Sequence, residues 1–306
     1  MNDTVAKLLI CPDCSRPLSL VGDELVCKRQ HRFQVDHDSP VLLPHSAMSG
    51  SKWQEWEEKQ EHGLEDYENP DPTYIALSNR VAGQFGEFCN FKDDTVVLDI
   101  GCGIEPTLFY VKPEWYRKLT FIGLDPLRGK IERPYHFVQA IAEKLPFKDD
   151  VFDQVVLATS LDHIIELGPV MKEIRRVLKP HSRVSIWITV FEYSPGRNIT
   201  LASYLKDVVY LISRGRLGDA GRRFLNPYLA AGVDYRPTDQ FHFHRFTRQS
   251  LLDSFRPADF RPTNYFLLED HLNQGSKHFF LELGPANKSN SKKTKRSKAS
   301  HELRTR

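Results

Sequence analysis

Short apolar blocks of strand length, separated by stretches with helical spacing, dominate the middle of this chain. VVLDIG, LTFIGLD, YHFVQA, FDQVVLA and RVSIWITVF read as strands, because each is rich in β-branched or aromatic residues and bounded by turn formers. Between them VMKEIRRVL repeats apolar positions at helical intervals and stops before Lys179-Pro180, where proline disfavours continuation. This alternation over residues 94–286 predicts a parallel sheet covered by helices, a doubly wound, Rossmann-like α/β fold. Residues 46–92 read as helical: WQEWEEKQEHGLEDY is acidic and aromatic, and YIALSNRVAGQFGEF places apolar residues on one helical face. The expected organisation is a small unit over 1–44, a helical linker with the first core helices over 45–92, and a sheet domain over 93–286.

An insertion at 193–238 and a tail at 287–306 interrupt that pattern. In the insertion, Leu201, Leu205, Val208 and Ile212 recur at helical spacing and Arg214, Arg216, Arg222 and Arg223 follow. The expectation is a lid, with membrane-surface or anionic-acceptor contact through residues 200–223, or equally a helix packed on the sheet with a solvated basic rim. The tail has no apolar period and reads as disordered.

Charge changes the picture more than composition does. With 40% hydrophobic and 27% charged residues among 306, the chain is neither collagen-like, disulfide-framed nor wholly disordered. Its net +2 hides an asymmetry, because eight Lys/Arg and one Glu of the tail leave 34 basic and 39 acidic residues in positions 1–286, a body of −5. Such a body is a poor general phosphate-tracking surface. No run of apolar residues is long enough for a transmembrane helix and no basic-then-apolar leader opens the sequence, so the expected address is cytoplasmic.

Candidate chemistry begins with Cys11, Cys14, Cys27 and His31, spaced C-x2-C-x12-C-x3-H. Two close pairs of thiolate and imidazole ligands suit tetrahedral zinc, and four protein ligands leave no open position, so the expected metal is structural. A segment this short buries too little apolar surface to fold unaided, which gives the metal a role. Cys89 reads as a core residue. Cys102 lies in a second feature, the D-x-G-x-G run from Asp99 through Gly101 and Gly103, where glycines let backbone approach a ligand. One βαβ unit later LTFIGLD ends in Asp125, suitably placed to accept from a ribose diol.

VVLDIGCG, FIGLDP, AEKLPF, FDQVVLATSLDHI and EIRRVLKP follow one another at βα spacing. This ordered set over roughly residues 75–286 resembles the class I S-adenosylmethionine-dependent methyltransferases, in particular their small-molecule, type-11-like branch. The N-terminal segment resembles the zinc ribbons of rRNA guanine methyltransferases and of the tRNA methyltransferase activator subunit. The resemblance implies a seven-stranded sheet and S-adenosyl-L-methionine as cofactor. It implies that Asp99, Gly101, Cys102 and Gly103 cradle the methionine moiety, that Asp125 holds the ribose, that Ala142 and Glu143 flank the adenine, and that Ala158 to Ser160, Thr159 among them, close the sulfonium side. The family often carries Asp before its Ala-Glu pair; here that position is Ile141.

On the acceptor side, strand FDQVVLATS delivers Asp162 and His163 to the carboxyl edge of the sheet, where ligands of open α/β sheets bind. Alternation through Asp239–Thr247 puts His242 and His244 on one strand face, and His244 joins Asp162 and His163 as a catalytic candidate for orienting or deprotonating a hydroxyl. Thr247 reads as the cap of the helix RQSLLDSF. The expected reaction is O-methylation of a small-molecule, lipid or glycan acceptor. The alternative is an rRNA or tRNA base methyltransferase, resting on the ribbon and the basic tail. Against it, residues 1–44 hold five basic and six acidic residues, and Ser160-Leu161-Asp162-His163 lacks the Pro-Pro-aromatic signature of base-amino methyltransferases.

Overall fold

The structure is a computed structural model that describes residues 3–48, 50, 52–58, 60, 72–105, 107–129, 132–191, 208–209, 212–213, 242–269 and 276–286. Its centre is a seven-stranded sheet of β5 (Val96–Ile100), β6 (Thr120–Asp125), β7 (His136–Gln139), β8 (Phe152–Ala158), β9 (Leu178–Phe191), β10 (Phe260–Glu269) and β11 (Ser276–Pro285). Their order is β10-β11-β9-β8-β5-β6-β7. The strands from β9 to β7 are parallel, while β11 pairs antiparallel with both β9 and β10. The chain runs outward from β5 to β6 and β7, then returns to β8 on the other side of β5. The carboxyl ends of β5 and β8 therefore flank the switch point, the crevice where such sheets hold ligands.

Strand alternation divides the core. Leu98, Ile122, Val138, Val155 and Ile186 face one side and pack with Val170, Met171, Ile174 and Val177 of α4 (Leu167–Val177) and with Leu251 and Phe255 of α5 (Arg248–Phe255). Val97, Phe121, Phe137, Val156 and Trp187 face the other side, toward Val81, Ala82, Phe85 and Cys89 of α3 (Pro72–Cys89). Gln154, buried in the middle of the sheet, is paired: its side chain donates to Cys89 O (3.1 Å) and Ser185 Oγ (2.8 Å), and accepts from Arg183.

A four-stranded antiparallel meander precedes this sheet: β1 (Leu18–Val21), β2 (Glu24–Cys27), β3 (Arg32–Asp36) and β4 (Ser39–Pro40), with short helices α1 (Asp3–Ala6) and α2 (His45–Met48) at its flanks. It does not stand apart. Ile10 N–H donates to Pro146 O (2.9 Å), Leu42 N–H to Gln139 O (2.7 Å), and Val41 bridges Gln139 of β7. Cys11, Cys27, Phe33 and Leu42 share one buried cluster with the strands of the large sheet, so the small unit covers its β7 edge.

Residues 242–245 are not the expected strand; beyond them only Phe246 forms a bridge, to Val190. The cause is local, because Asp162 O accepts from both Phe243 N–H (2.8 Å) and His244 N–H (3.2 Å) and curls the segment. Thr247 does cap α5 in a reciprocal box with Ser250. Most of the insertion and all of the tail lie outside the described residues; Val208 and Ile212 are helical, the first buried and the second exposed. Among the described residues no helix is long and apolar enough to cross a membrane.

Candidate functional site

At the switch point the sequence motif becomes a cradle. Asp99, at the carboxyl end of β5, is 1% exposed and neither carboxylate oxygen has a hydrogen-bond partner. Burial pushes its carboxyl up to about 7; the Tyr110 hydroxyl facing it offsets part of that, and the nearby Asp125 charge adds to it. Asp125, at the end of β6, accepts from Gly103 N–H and Leu127 N–H, each at 2.8 Å. Burial raises it to about 6 against those two donors. Two buried carboxylates, one of them unsatisfied, thus face a single crevice, an arrangement costly without a cationic or multiply donating ligand.

The two loop glycines serve different purposes. A Cβ on Gly101 would meet Ser160 Cβ at 2.3 Å, so its missing side chain lets β5 pass the end of β8. Gly103, at φ 72°, has open space where a Cβ would stand. That is a cradle a side chain would fill, and it fits the methionine end of a nucleoside cofactor. Thr159 adds strain: a β-branched residue at φ 55°, exposed, with its N–H donating to Trp187 O (2.7 Å). Cys102 is buried, with Arg133 donating to its sulfur (3.4 Å), and burial holds the thiol well above its usual range, which disfavours a nucleophilic role.

The expected adenine side is apolar. Ala142 is buried in a 3₁₀ turn, while burial raises the Glu143 carboxyl, which accepts from Glu166 N–H (3.4 Å) at the start of α4. Ile141 lies under a cover that sequence reasoning missed. Trp53 and Trp56, on the helical stretch 52–58, stack with centroids 4.7 Å apart and pack on Ile141, Leu127 and Phe243. An Asp in place of Ile141 would bury a charge beneath two indoles. Trp56 Nε1 also donates to His163 O (3.2 Å).

The acceptor-side residues assemble differently from expectation. Asp162 and His163 lie together on the 3₁₀ turn after β8. The histidine that joins them is His242, whose Nε2 is 3.5 Å from Asp162 Oδ2 and whose ring centroid is 4.4 Å from that of His163. His244 turns toward Phe246 instead. Alternation could not separate the two histidines; the capture of both following amides by Asp162 O does.

In the N-terminal unit, the ligand atoms of Cys11, Cys14, Cys27 and His31 lie within 4.8 Å of one another. Cys14 Sγ and Cys27 Sγ are 3.7 Å apart, and Cys11 Sγ and His31 Nδ1 are 3.3 Å apart. Two sulfurs bound tetrahedrally to zinc at about 2.3 Å would be about 3.8 Å apart, so the donor set fits that ion.

Residues 98–186 match the methyltransferase domain family. The chain is similar to the sterol 4-C-methyltransferase strm-1 of Caenorhabditis elegans, 34% identical over 111 residues, 33% of each chain. It is similar to the ubiquinone/menaquinone biosynthesis C-methyltransferase UbiE of Pseudomonas aeruginosa (strain LESB58), 38% identical over 131 residues, 39% of this chain and 50% of the relative. The chain thus spans a third to a half of the length of these curated relatives. Among solved structures, the Burkholderia thailandensis 1,6-didemethyltoxoflavin-N1-methyltransferase aligns over 89% of this chain and 100% of its own, at 14% identity and a TM-score of 0.49. The stretch 98–186, which is similar to the methyltransferase domain family, carries Asp99, Gly103, Asp125, Thr159 and Asp162.

Proposed function

We propose that this chain is an S-adenosylmethionine-dependent methyltransferase that O-methylates a small-molecule, lipid or glycan acceptor. The observation that carries this reading is the cradle at the switch point, where open, left-handed Gly103 sits between the buried carboxylates of Asp99 and Asp125 within a methyltransferase domain. When bound, the cofactor supplies a methyl group already activated on a sulfonium. The protein's work is then to bind, orient and exclude water, a contribution of up to about 7–11 kcal/mol.

In this reading Asp99 receives the methionine ammonium, which satisfies its orphaned oxygens. Asp125 takes the ribose hydroxyls on the lone pairs its two amide donors leave. Ile141 and Leu127, backed by Trp53 and Trp56, form the adenine wall, and Glu143 anchors the neighbouring loop rather than the base. Asp162, His163 and His242 border the acceptor. Both named relatives methylate carbon; the imidazoles and carboxylate here favour an acceptor whose O–H must be held and relieved of its proton. Zinc on Cys11, Cys14, Cys27 and His31 is structural in the same account.

The test offers methyl-labelled cofactor with fractionated metabolites, lipids, glycans and total RNA. Label is expected in a small-molecule, lipid or glycan fraction as an ether or ester. Label in RNA would transfer the assignment to the rRNA or tRNA alternative, and label in no fraction would contradict the enzyme reading.

A further inference from the structure

We propose that Asp162, His163 and His242 form a second metal centre, open to the acceptor, that holds a divalent first-row transition ion. The proposal rests on the reading of this edge as an acceptor pocket and extends it to the class of acceptor. One ligand atom from each residue lies within 4.8 Å of the others, and all three side chains are half-buried. The 3.5 Å between His242 Nε2 and Asp162 Oδ2 is long for a hydrogen bond. It is within about half an ångström of the spacing of two ligands sharing an ion, since donors at about 2.1 Å from a metal lie about 3.0–3.4 Å apart.

The backbones that carry these ligands are pinned from outside the cluster. Asp162 O receives the amides of Phe243 and His244, which fixes the aspartate turn against the segment bearing His242. His163 O receives the Trp56 indole at 3.2 Å. Such outer contacts orient metal ligands in the way a preorganised centre requires. Two imidazoles and one carboxylate also differ in kind from the thiolate-rich N-terminal set. They suit divalent ions such as Fe²⁺, Zn²⁺ or the harder Mn²⁺, and three ligands from the described residues leave coordination positions for an acceptor.

Those open positions give the acceptor its chemistry. An acceptor with two neighbouring oxygens, as in a catechol or another vicinal diol, would chelate the ion and be held beside the cofactor crevice. A single hydroxyl would gain acidification but not the orientation of a chelate, and a carbon acceptor would gain little from it.

The experiment titrates Mn²⁺ into the full chain and reads free ion by electron paramagnetic resonance, because Mn²⁺ avoids the thiolate site. One saturable Mn²⁺ per chain is expected, with affinity falling at least tenfold in both Asp162→Asn and His242→Ala and unchanged in the exposed His37→Ala. S-adenosylhomocysteine binding, measured calorimetrically on the same variants, verifies that each is folded. Catechol should alter the bound-Mn²⁺ spectrum and resorcinol should not. Absence of a saturable site in wild type, or one that survives both variants, overturns the metal centre and leaves the methyltransferase reading intact wherever S-adenosylhomocysteine still binds. Equal responses to the two diols overturn the chelating-acceptor class. Mn²⁺ binding without any S-adenosylhomocysteine binding would remove the methyltransferase reading and keep the metal.

Discussion

The small N-terminal sheet and the large sheet reach order by different means. In the large sheet, β5, β6 and β8 are largely apolar and buried on both faces, each fully buried Leu, Ile or Phe contributing about 1.5–3 kcal/mol. The small sheet has strands of two to five residues, and its β1 exposes Leu20 (55%) and Val21 (57%). Its burial is confined to a few residues such as Leu25, Cys27 and Phe33. Burial alone can organise the first region, whereas in the proposed zinc reading the second also depends on a metal held by Cys11, Cys14, Cys27 and His31, beside the cluster it shares with the large sheet. The contrast teaches where each region should fail.

The largest effect should follow metal removal. Structural zinc sites are worth about 10–16 kcal/mol in isolated fingers. Chelation, or Cys27→Ser, should therefore abolish amide-exchange protection in β2 and β3 while β5 and β8 stay protected. Simultaneous loss in both sheets would mean that the contacts of Leu42 with Gln139 and of Leu9 with Phe147 make one cooperative unit, and the contrast would break.

The loop glycines sharpen the contrast within the large sheet. Gly101→Ala adds a clash with Ser160 to the strain of its own left-handed backbone (φ 78°) and should cost about 2–5 kcal/mol of stability by thermal unfolding. Gly103→Ala meets no atom, so it should cost less, about 1–2 kcal/mol from its backbone conformation, while weakening S-adenosylhomocysteine binding at least tenfold. Equal stability losses with unchanged binding would refute the division of roles.

Asp99 gives a smaller, pH-dependent effect. Burial pushes its carboxyl up to about 7 from an ordinary 3.8, so the folded state holds the extra proton between those limits. Stability of the ligand-free protein should therefore fall as pH rises from about 4 to 7 and stay low above it. Asp125, raised to about 6, acts in the same direction. Asp99→Asn should flatten part of this slope and stabilise the ligand-free protein by about 1–3 kcal/mol at pH 8, at the expense of cofactor affinity. Denaturant unfolding at pH 5 and 8 measures both slopes. The smallest effect is expected from deleting 287–306, which should change turnover on a small acceptor by no more than about twofold; a steep, salt-dependent loss would favour RNA.

Local backbone demands were the legible part of the sequence. The D-x-G-x-G turn, Asp125, the Cys/His spacing and the Thr247 cap are each set by residues a few positions apart, and the structure brings them where the pattern puts them. Contacts made across the chain left no such mark. The Trp53–Trp56 cover on Ile141 and the pairing of Asp162 with His242 rather than His244 depend on how distant segments cross. Strand β10 was invisible for another reason: FRPTNYFLLE carries Pro262 and Asn264 on an exposed edge, where neither alternation nor burial is imposed.

The central claim is that the crevice between β5, β6 and β8 binds S-adenosylmethionine through Asp99, Gly103 and Asp125. Isothermal calorimetry with S-adenosylhomocysteine on wild type and Asp125→Ala tests it most directly. The account predicts one site per chain in wild type and a loss of about 1.5–3 kcal/mol, roughly 10–150-fold in affinity, in a variant that remains folded. No saturable binding in wild type, or equal affinity in the two proteins, would contradict it.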